Sequence, residues 1–246
     1  MQLGLQGRVA LVTGANRGTG KVIASMLAAE GARVIVHGFA EPEARDAADL
    51  IGALHVAGDI CDEADAARVA RAALALHGRI DVLIANAGVG HFAPITEITP
   101  TQWQETIDTN LTGVFYSLKA AVGALAEAKG YFITIASLAG TNFFPKGAAY
   151  NASKFAIEGF SDTMRLELAG TDIHVSLIEP GPIESQFRPN AHRAFQKYID
   201  VASSIHQERY QKMIQRFEVT GKVQPFTLPP EAVLKRVVHA LESKRP

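Results

Sequence analysis

The apolar run Val9-Ala-Leu-Val12 passes directly into Thr13-Gly14-Ala-Asn-Arg17-Gly18-Thr19-Gly20, and that turn opens onto a helix-patterned stretch, residues 21–30. A buried strand that turns through glycines into a helix restricts the fold more than any other feature of the chain. Glycine permits the tight turn and lets backbone approach a diphosphate at the helix N-terminus. There, unpaired N–H groups and the helix dipole favour anions. A merely flexible turn has a similar composition. Its position at the start of a βαβ series points instead to dinucleotide binding.

The alternation continues along the chain. Short β-branched runs at 34–36, 54–56, 82–84, 131–135 and 175–178 alternate with helical periodicity at 64–76, 99–129 and 148–169. Strands separated by helices, without hairpin signals, imply parallel crossovers. The expected fold class is α/β, a doubly wound parallel sheet (a Rossmann fold), with residues 1–246 forming one domain. Composition sets the function classes aside rather than choosing one. A net charge of −1 offers no field for nucleic acid or an anionic membrane surface. No run is long enough to span a bilayer, and residues 1–7 lack a signal-peptide pattern. Cys61 alone cannot form an intrachain disulfide, and the eight histidines show no H-E-x-x-H spacing, so no metal site is expected. These features suit the cytoplasm.

Tyr150 and Lys154, in Tyr150-Asn-Ala-Ser-Lys154, lie four residues apart on one helix face. A phenol ionises near pH ~10 and is a poor proton-transfer group at neutrality, but a close ammonium favours the phenolate. Taken alone, such a pair is common on solvated helices. The remaining motifs give it company, and together they resemble the short-chain dehydrogenase/reductase family. The turn is T-G-x-x-x-G-x-G (Thr13, Gly14, Arg17, Gly18, Thr19, Gly20). Ala85-Asn86-Ala87-Gly88 is similar to N-N-A-G with its first Asn replaced. Asn110, Ser137, Tyr150-x-x-x-Lys154 and Pro180-Gly181-x-Ile183-x-Ser185 follow in the family's order, so the resemblance covers residues 8–185.

The resemblance implies a strand order of 3-2-1-4-5-6 and hydride exchange between a nicotinamide and a small-molecule carbonyl or secondary alcohol. Tyr150 would be the general acid or base and Ser137 a donor to the reacting oxygen. Lys154 would lower the pKa of Tyr150 and hold the nicotinamide ribose, and Asn110 would complete a proton relay. Asp59 and Ile60 would border the adenine, while Asn86, Ala87 and Gly88 would support the adenosine ribose. Pro180, Gly181, Ile183 and Ser185 would flank the nicotinamide. The second strand ends at His37-Gly38-Phe39 without the carboxylate that binds the 2′-hydroxyl of NAD. Arg17 in the turn could meet a 2′-phosphate. NADP is therefore favoured, with NAD as the alternative and Phe39 weighing against the choice.

From 186 to 228 the βα rhythm stops. Ala194, Tyr198, Val201 and Ile205, then Tyr210, Met213, Ile214 and Phe217, follow helical spacing. By its position after the Pro-Gly motif, this stretch is expected to cover the substrate. Its aromatic and methionine content suggests an apolar substrate, near Phe187, Tyr210 and Met213. The tail, a helix from about Pro230, resembles the hydroxysteroid- and retinol-dehydrogenase-like branch. That branch usually adds a seventh strand, and this chain stops before one, so a six-stranded sheet is expected. The usual tetramer is thereby put in doubt, while a homodimer on the two long helices is expected from Leu111, Val114, Phe115, Leu118, Phe155, Ile157, Phe160 and Met164. A nucleotide-sensing or scaffold protein, and an epimerase or dehydratase working through a transient ketone, are the alternatives on the same fold.

Overall fold

The computed structural model describes residues 5–185, 187–218 and 226–243. Its sheet is parallel and six-stranded, ordered β3-β2-β1-β4-β5-β6, as the motif order implied. The strands are β1 (Val9–Val12), β2 (Arg33–Gly38), β3 (Leu54–Ala57), β4 (Val82–Ala85), β5 (Tyr131–Ile135) and β6 (His174–Ile178).

Side-chain alternation splits the core in two. Ala10, Val12, Val34 and Val36 face one layer, and Val9, Leu11 and Ile35 face the other. The first layer is filled by Ile23 and Leu27 of α1 (Gly18–Ala29), Ala47 and Ala48 of α2 (Glu41–Asp49), and Val233 and Val237 of α9 (Glu231–Glu242). The second takes Val69 of α3 (Glu63–His77), Val114 and Leu118 of α5 (Gly113–Ala128), and Ile157 of α6 (Ala148–Glu167).

Residues 99–129 are not one uniform helix. Thr99 caps α4 (Pro100–Ile107) with a reciprocal Thr99–Gln102 capping box. A π-turn, Asp108–Thr112, then widens the spiral before α5 and carries Asn110. Helix α2 has no counterpart in the helical periodicity of the sequence. It forms because Pro42 suits the first turn and Glu41 and Glu43 favour the positive end of the dipole. The stretch after β6 contains α7 (Phe187–Tyr198) and α8 (Gln207–Glu218). Gln186, residues 219–225 and the side chains of Phe187 and Phe217 lie outside the described residues. No described helix is long and apolar enough to cross a membrane.

Candidate active site

The glycine turn, the Asn86 loop, Ser137 and the Pro-Gly loop each lie just beyond the C-terminal end of a strand, the edge where open α/β sheets bind ligands. Asn110 sits on the π-turn, and Tyr150 and Lys154 on α6. The crevice opens where strand order reverses, between β1 and β4.

Gly14 and Gly18 adopt positive φ, 62° and 58°, a region that disfavours side chains. A Cβ on Gly14 would come 2.9 Å from Ala87 Cα, and one on Gly20 would come 2.3 Å from Asn86 Nδ2. The turn is therefore pressed against the β4 loop. A Cβ on Gly18 would meet nothing within 4 Å, so its surface is open. Helix α1 starts there with no side-chain cap and no acidic residue in its first turn. An open helix start without a competing carboxylate fits a diphosphate.

Thr13 has a more internal part than its place in the motif suggested. Its hydroxyl accepts from the N–H groups of Asn86 (3.0 Å) and Ala87 (3.1 Å). Asn86 Nδ2 returns hydrogen bonds to the carbonyls of Thr13 (2.9 Å) and Gly14 (3.3 Å). Thr13 and Asn86 thus shape the cradle rather than line it. A further strut is His37, which the sequence reading passed over. Its Nδ1 accepts from Gly14 N–H (3.2 Å) and its Nε2 donates to Gly58 O (3.1 Å). That pairing fixes the neutral tautomer, and burial pushes the imidazole pKa down. The signal was one histidine in the apolar run of β2. Asp59, next to Gly58, accepts from Cys61 N–H (2.9 Å) as an ordinary turn aspartate, and Ile60 is buried.

A cavity of about 300 Å³ beside the turn is lined by Arg17 and Lys21, but also by Glu43 and Asp46. Glu43 accepts from Asn16 Nδ2 at 2.9 Å. Both carboxylates belong to α2 and share the cavity with Arg17.

At the other end of the crevice the Ser137 hydroxyl lies near enough to the Tyr150 phenol to favour its ionised form, and Ser137 Oγ accepts from Ala139 N–H at 3.1 Å. Lys154 Nζ donates to Ile135 O at 3.1 Å and lies 5.8 Å from the Tyr150 ring centroid. The electrostatics differ from the expectation. Burial pushes the phenol of Tyr150 up, opposed by the Ser137 hydroxyl, and Lys154 is not what moves it. Burial in turn lowers the Lys154 ammonium to about 8. Below it, Glu158 is pushed up to about 7 by burial and by Glu179 and Asp162.

Asn110 is buried, and its side chain is fully engaged. Oδ1 accepts from Val89 N–H (2.8 Å), and Nδ2 donates to Val89 O (2.9 Å) and Ser153 Oγ (3.0 Å). Ser153 donates to Tyr150 O at 2.8 Å, and Asn151 Nδ2 donates to Ala139 O (3.0 Å) and Asn142 O (2.7 Å). The residues between Tyr150 and Lys154 therefore tie the helix to the Ser137 loop and the π-turn. Pro180 O accepts from Leu138 N–H at 2.9 Å, joining the Pro-Gly loop to the same structure. Ile183 pairs with Leu228, and Ser185 leads into α7.

The loop after β4 places Phe92 against Tyr150, ring centroids 5.6 Å apart, and Phe144 lies 5.9 Å from Phe92. Two carboxylates join α7 and α8 to this side of the molecule. Tyr198 donates to Glu105 (3.1 Å), which also meets His91 Nε2 (2.9 Å). Glu97 accepts from Ser204 (2.7 Å) and from the Tyr210 hydroxyl. A larger cavity, about 390 Å³, lies between β6 and α9. It includes Pro180, Gly181 and Ile183 but none of Ser137, Tyr150 or Lys154. Among the described residues no cluster of three or more His, Cys, Asp or Glu could hold a metal.

Fold and site together define a doubly wound nucleotide-dependent oxidoreductase. The short chain dehydrogenase family model matches residues 8–195, and the chain belongs to that family of NAD(P)-using enzymes. It is 34% identical over 199 residues to trans-4-hydroxycyclohexanecarboxylate dehydrogenase of Sinomonas cyclohexanicum, covering 76% of this chain and 77% of that protein. It is 36% identical over 186 residues to the 3-oxoacyl-acyl-carrier-protein reductase of Escherichia coli, covering 74% and 76%. A short-chain dehydrogenase/reductase of Burkholderia phymatum, solved with NAD, superposes with a TM-score of 0.84 at 25% identity, covering 98% of this chain and 88% of that one.

Proposed function

We propose that the protein transfers hydride between a nicotinamide dinucleotide and a carbonyl or secondary alcohol, with Tyr150 and Ser137 as the groups that meet the reacting oxygen. The observation that carries this reading is the Ser137 hydroxyl set beside the Tyr150 phenol, with Lys154 Nζ held on Ile135 O and 5.8 Å from the Tyr150 ring centroid. The bound nicotinamide supplies or accepts the hydride. Ser137 donates to the substrate oxygen and Tyr150 exchanges the proton. Tyr150, kept protonated by burial, is the acid when a carbonyl is reduced and the base when an alcohol is oxidised. Lys154, fixed on Ile135 O, orients the ribose and stabilises a phenolate when one forms. Asn110 acts on this machinery through Val89 and Ser153.

The dinucleotide is NADP(H), held at its 2′-phosphate by Arg17 and Lys21. Glu43 and Asp46 in the same cavity keep the preference small, about tenfold or less. The stretch 186–228 covers the substrate, supported by the contacts of α7 and α8 with Glu105 and Glu97. The exposed rings of Phe115 and Phe155 supply a homodimer surface. Val114, Leu118 and Ile157, part of the expected interface, are instead buried in the core. Steady-state assays of wild type and Tyr150→Phe on a carbonyl panel, with NADPH and with NADH, test the reading. The variant should bind dinucleotide and lose at least ~1000-fold in kcat; a variant with wild-type kcat would sink the assignment.

A further inference from the structure

Helix α6 carries a third ionisable group in line with the catalytic pair. Tyr150, Lys154 and Glu158 follow at four-residue steps, which stacks them along one helix face. Glu158 is half-buried, and its Oε1 is shut off from solvent without a hydrogen-bond partner. What closes over it is the turn Leu138–Gly140, which follows Ser137. A Cβ on Gly140 would lie 3.0 Å from Glu158 Cγ, closer still to Oε1, and 2.9 Å from Lys154 O. Only glycine lets that turn rest on the carboxyl and on the helix backbone together. Two further ties hold the turn in place. Asn151 Nδ2 donates to Ala139 O and Asn142 O, and Leu138 N–H donates to Pro180 O.

The charges around this junction are few. Glu179, next to Pro180, acts on Glu158 from the loop after β6, and Asp162 and Arg165 act on it from α6. Arg165 is itself engaged by Asp162 and by Val175 O. Arg236 and His239 of α9 line the cavity that Arg165 and Glu179 share, and the turn Leu138–Gly140 brings no charge. The Lys154 ammonium is enclosed, donates to the neutral Ile135 O, and has Glu158 as the charged group that acts on it. Asn110 spends its side chain on Val89 and Ser153 and supplies no charge. An ammonium in a dry place without an opposing charge tends to lose its proton, and an anion one helical turn away opposes that loss. Lys154 is lowered to about 8 and Glu158 raised to about 7, so the carboxylate forms just before the ammonium would be lost.

We propose that Glu158 is a positioning residue for the catalytic pair: seated under the turn that follows Ser137 and one helical turn from Lys154, its carboxylate keeps Lys154 an ammonium able to hold the nicotinamide ribose. This rests on the assignment of Lys154 to that ribose. Glu158 takes no part in the hydride or proton step. It acts through Lys154.

The test is the NADH affinity of the full chain, read by fluorescence titration between about pH 6.5 and 9.5. NADH lacks the 2′-phosphate, which would itself titrate, and Tyr150 is held above its ordinary range. Wild type should bind evenly up to about pH 8 and then weaken roughly tenfold as the ammonium is lost. In Glu158→Gln, which keeps the shape and removes the charge, that break should move down by about one pH unit. Glu158→Asp should restore most of it. Glu179→Gln should leave the break in place or raise it, because it removes a charge that hinders Glu158 from ionising. Asn151→Ala, which loosens the turn after Ser137, should lower kcat without moving the break. An unmoved break in Glu158→Gln, an equal downward shift in Glu179→Gln, or a flat wild-type profile would overturn the proposal and leave the oxidoreductase reading intact. Failure of the wild type to bind NADH or NADPH at any pH would overturn the dinucleotide reading with it.

Discussion

Thr13→Val isolates the part played by one hydroxyl in building the nucleotide end. Valine matches threonine in shape, so the side chain, 2% exposed, loses no packing. What disappears is the acceptor shared by the N–H groups of Asn86 and Ala87, at 3.0 and 3.1 Å. The backbone bond from Thr13 N–H to Ile84 O, at 3.0 Å, survives. A buried donor left unpaired costs about 1–3 kcal/mol. Asn86 and Ala87 are only half-buried, which places each near the low end and the sum near ~2 kcal/mol. For a chain of this size about 2–4 °C accompanies each kcal/mol, so the midpoint of thermal unfolding should fall by about 4–8 °C. Urea unfolding should show a lower midpoint at unchanged slope. Thr13→Ser, which keeps the oxygen, should recover most of the loss. Dinucleotide affinity, read by fluorescence titration, should weaken in Thr13→Val, because the freed β4 loop no longer braces the glycine turn. A Thr13→Val protein within ~0.5 kcal/mol of wild type would show that water satisfies both N–H groups, and the bracing argument would fall.

Four further outcomes follow from the same geometry. Gly20→Ala would drive a methyl against Asn86 Nδ2 and, at 2.7 Å, against Gly14 O, and should destabilise by roughly 1–3 kcal/mol in chemical denaturation. Gly123→Ala, in helix α5 with nothing within 4 Å, should stabilise by about 0.5–1 kcal/mol. His37 is neutral when folded, with its pKa below the ordinary 6.5. Below about pH 6.5 the unfolded chain takes up a proton that the folded one refuses, so stability is present above that pH and is lost as pH falls below it. His37→Gln, with one acceptor and one donor, should flatten that acid slope in melts between about pH 5 and 7, and parallel slopes would refute the assignment. Arg17→Ala should lower kcat/KM for NADPH up to about tenfold while leaving NADH nearly unchanged, and equal losses would point to a role at the diphosphate.

Much of the framework was legible because each strand announces itself by β-branched residues and each connection by helical spacing. The order of the motifs then implied the order of the sheet. Helix α2 escaped because its buried face is Ala44, Ala47 and Ala48, too small to stand out in a pattern of large apolar residues. The π-turn escaped for a different reason. Ile107, Leu111, Val114 and Leu118 keep an apolar three- and four-residue spacing through it, so periodicity cannot register one added residue per turn. The motif positions themselves were readable, but not which way their atoms face. Thr13 and Asn86 look like cradle residues and turn inward, while Asn151 and Ser153, variable positions of the Tyr–Lys motif, carry the bonds that hold it. The contacts of Glu97 and Glu105 with α7 and α8 join residues about a hundred positions apart, and no local pattern encodes them.

The direction of the Tyr150 shift bears on how the pair is understood. Sequence spacing suggested that Lys154 acts mainly by making the phenol acidic. In the structure burial dominates both groups, raising one and lowering the other toward about 8. The separation between their ionisations widens, because the two groups ordinarily ionise close together and burial moves them in opposite directions. In the proposed mechanism the pocket tunes the pair by excluding water, and Lys154 acts on the phenolate only after a proton has left. A substitution that admits water beside Tyr150 without touching Lys154 discriminates the two accounts. Phe92→Ser should lower the phenol pKa toward its ordinary value and shift the alkaline limb of the kcat profile to lower pH. If Lys154 alone set that limb, the profile would not move.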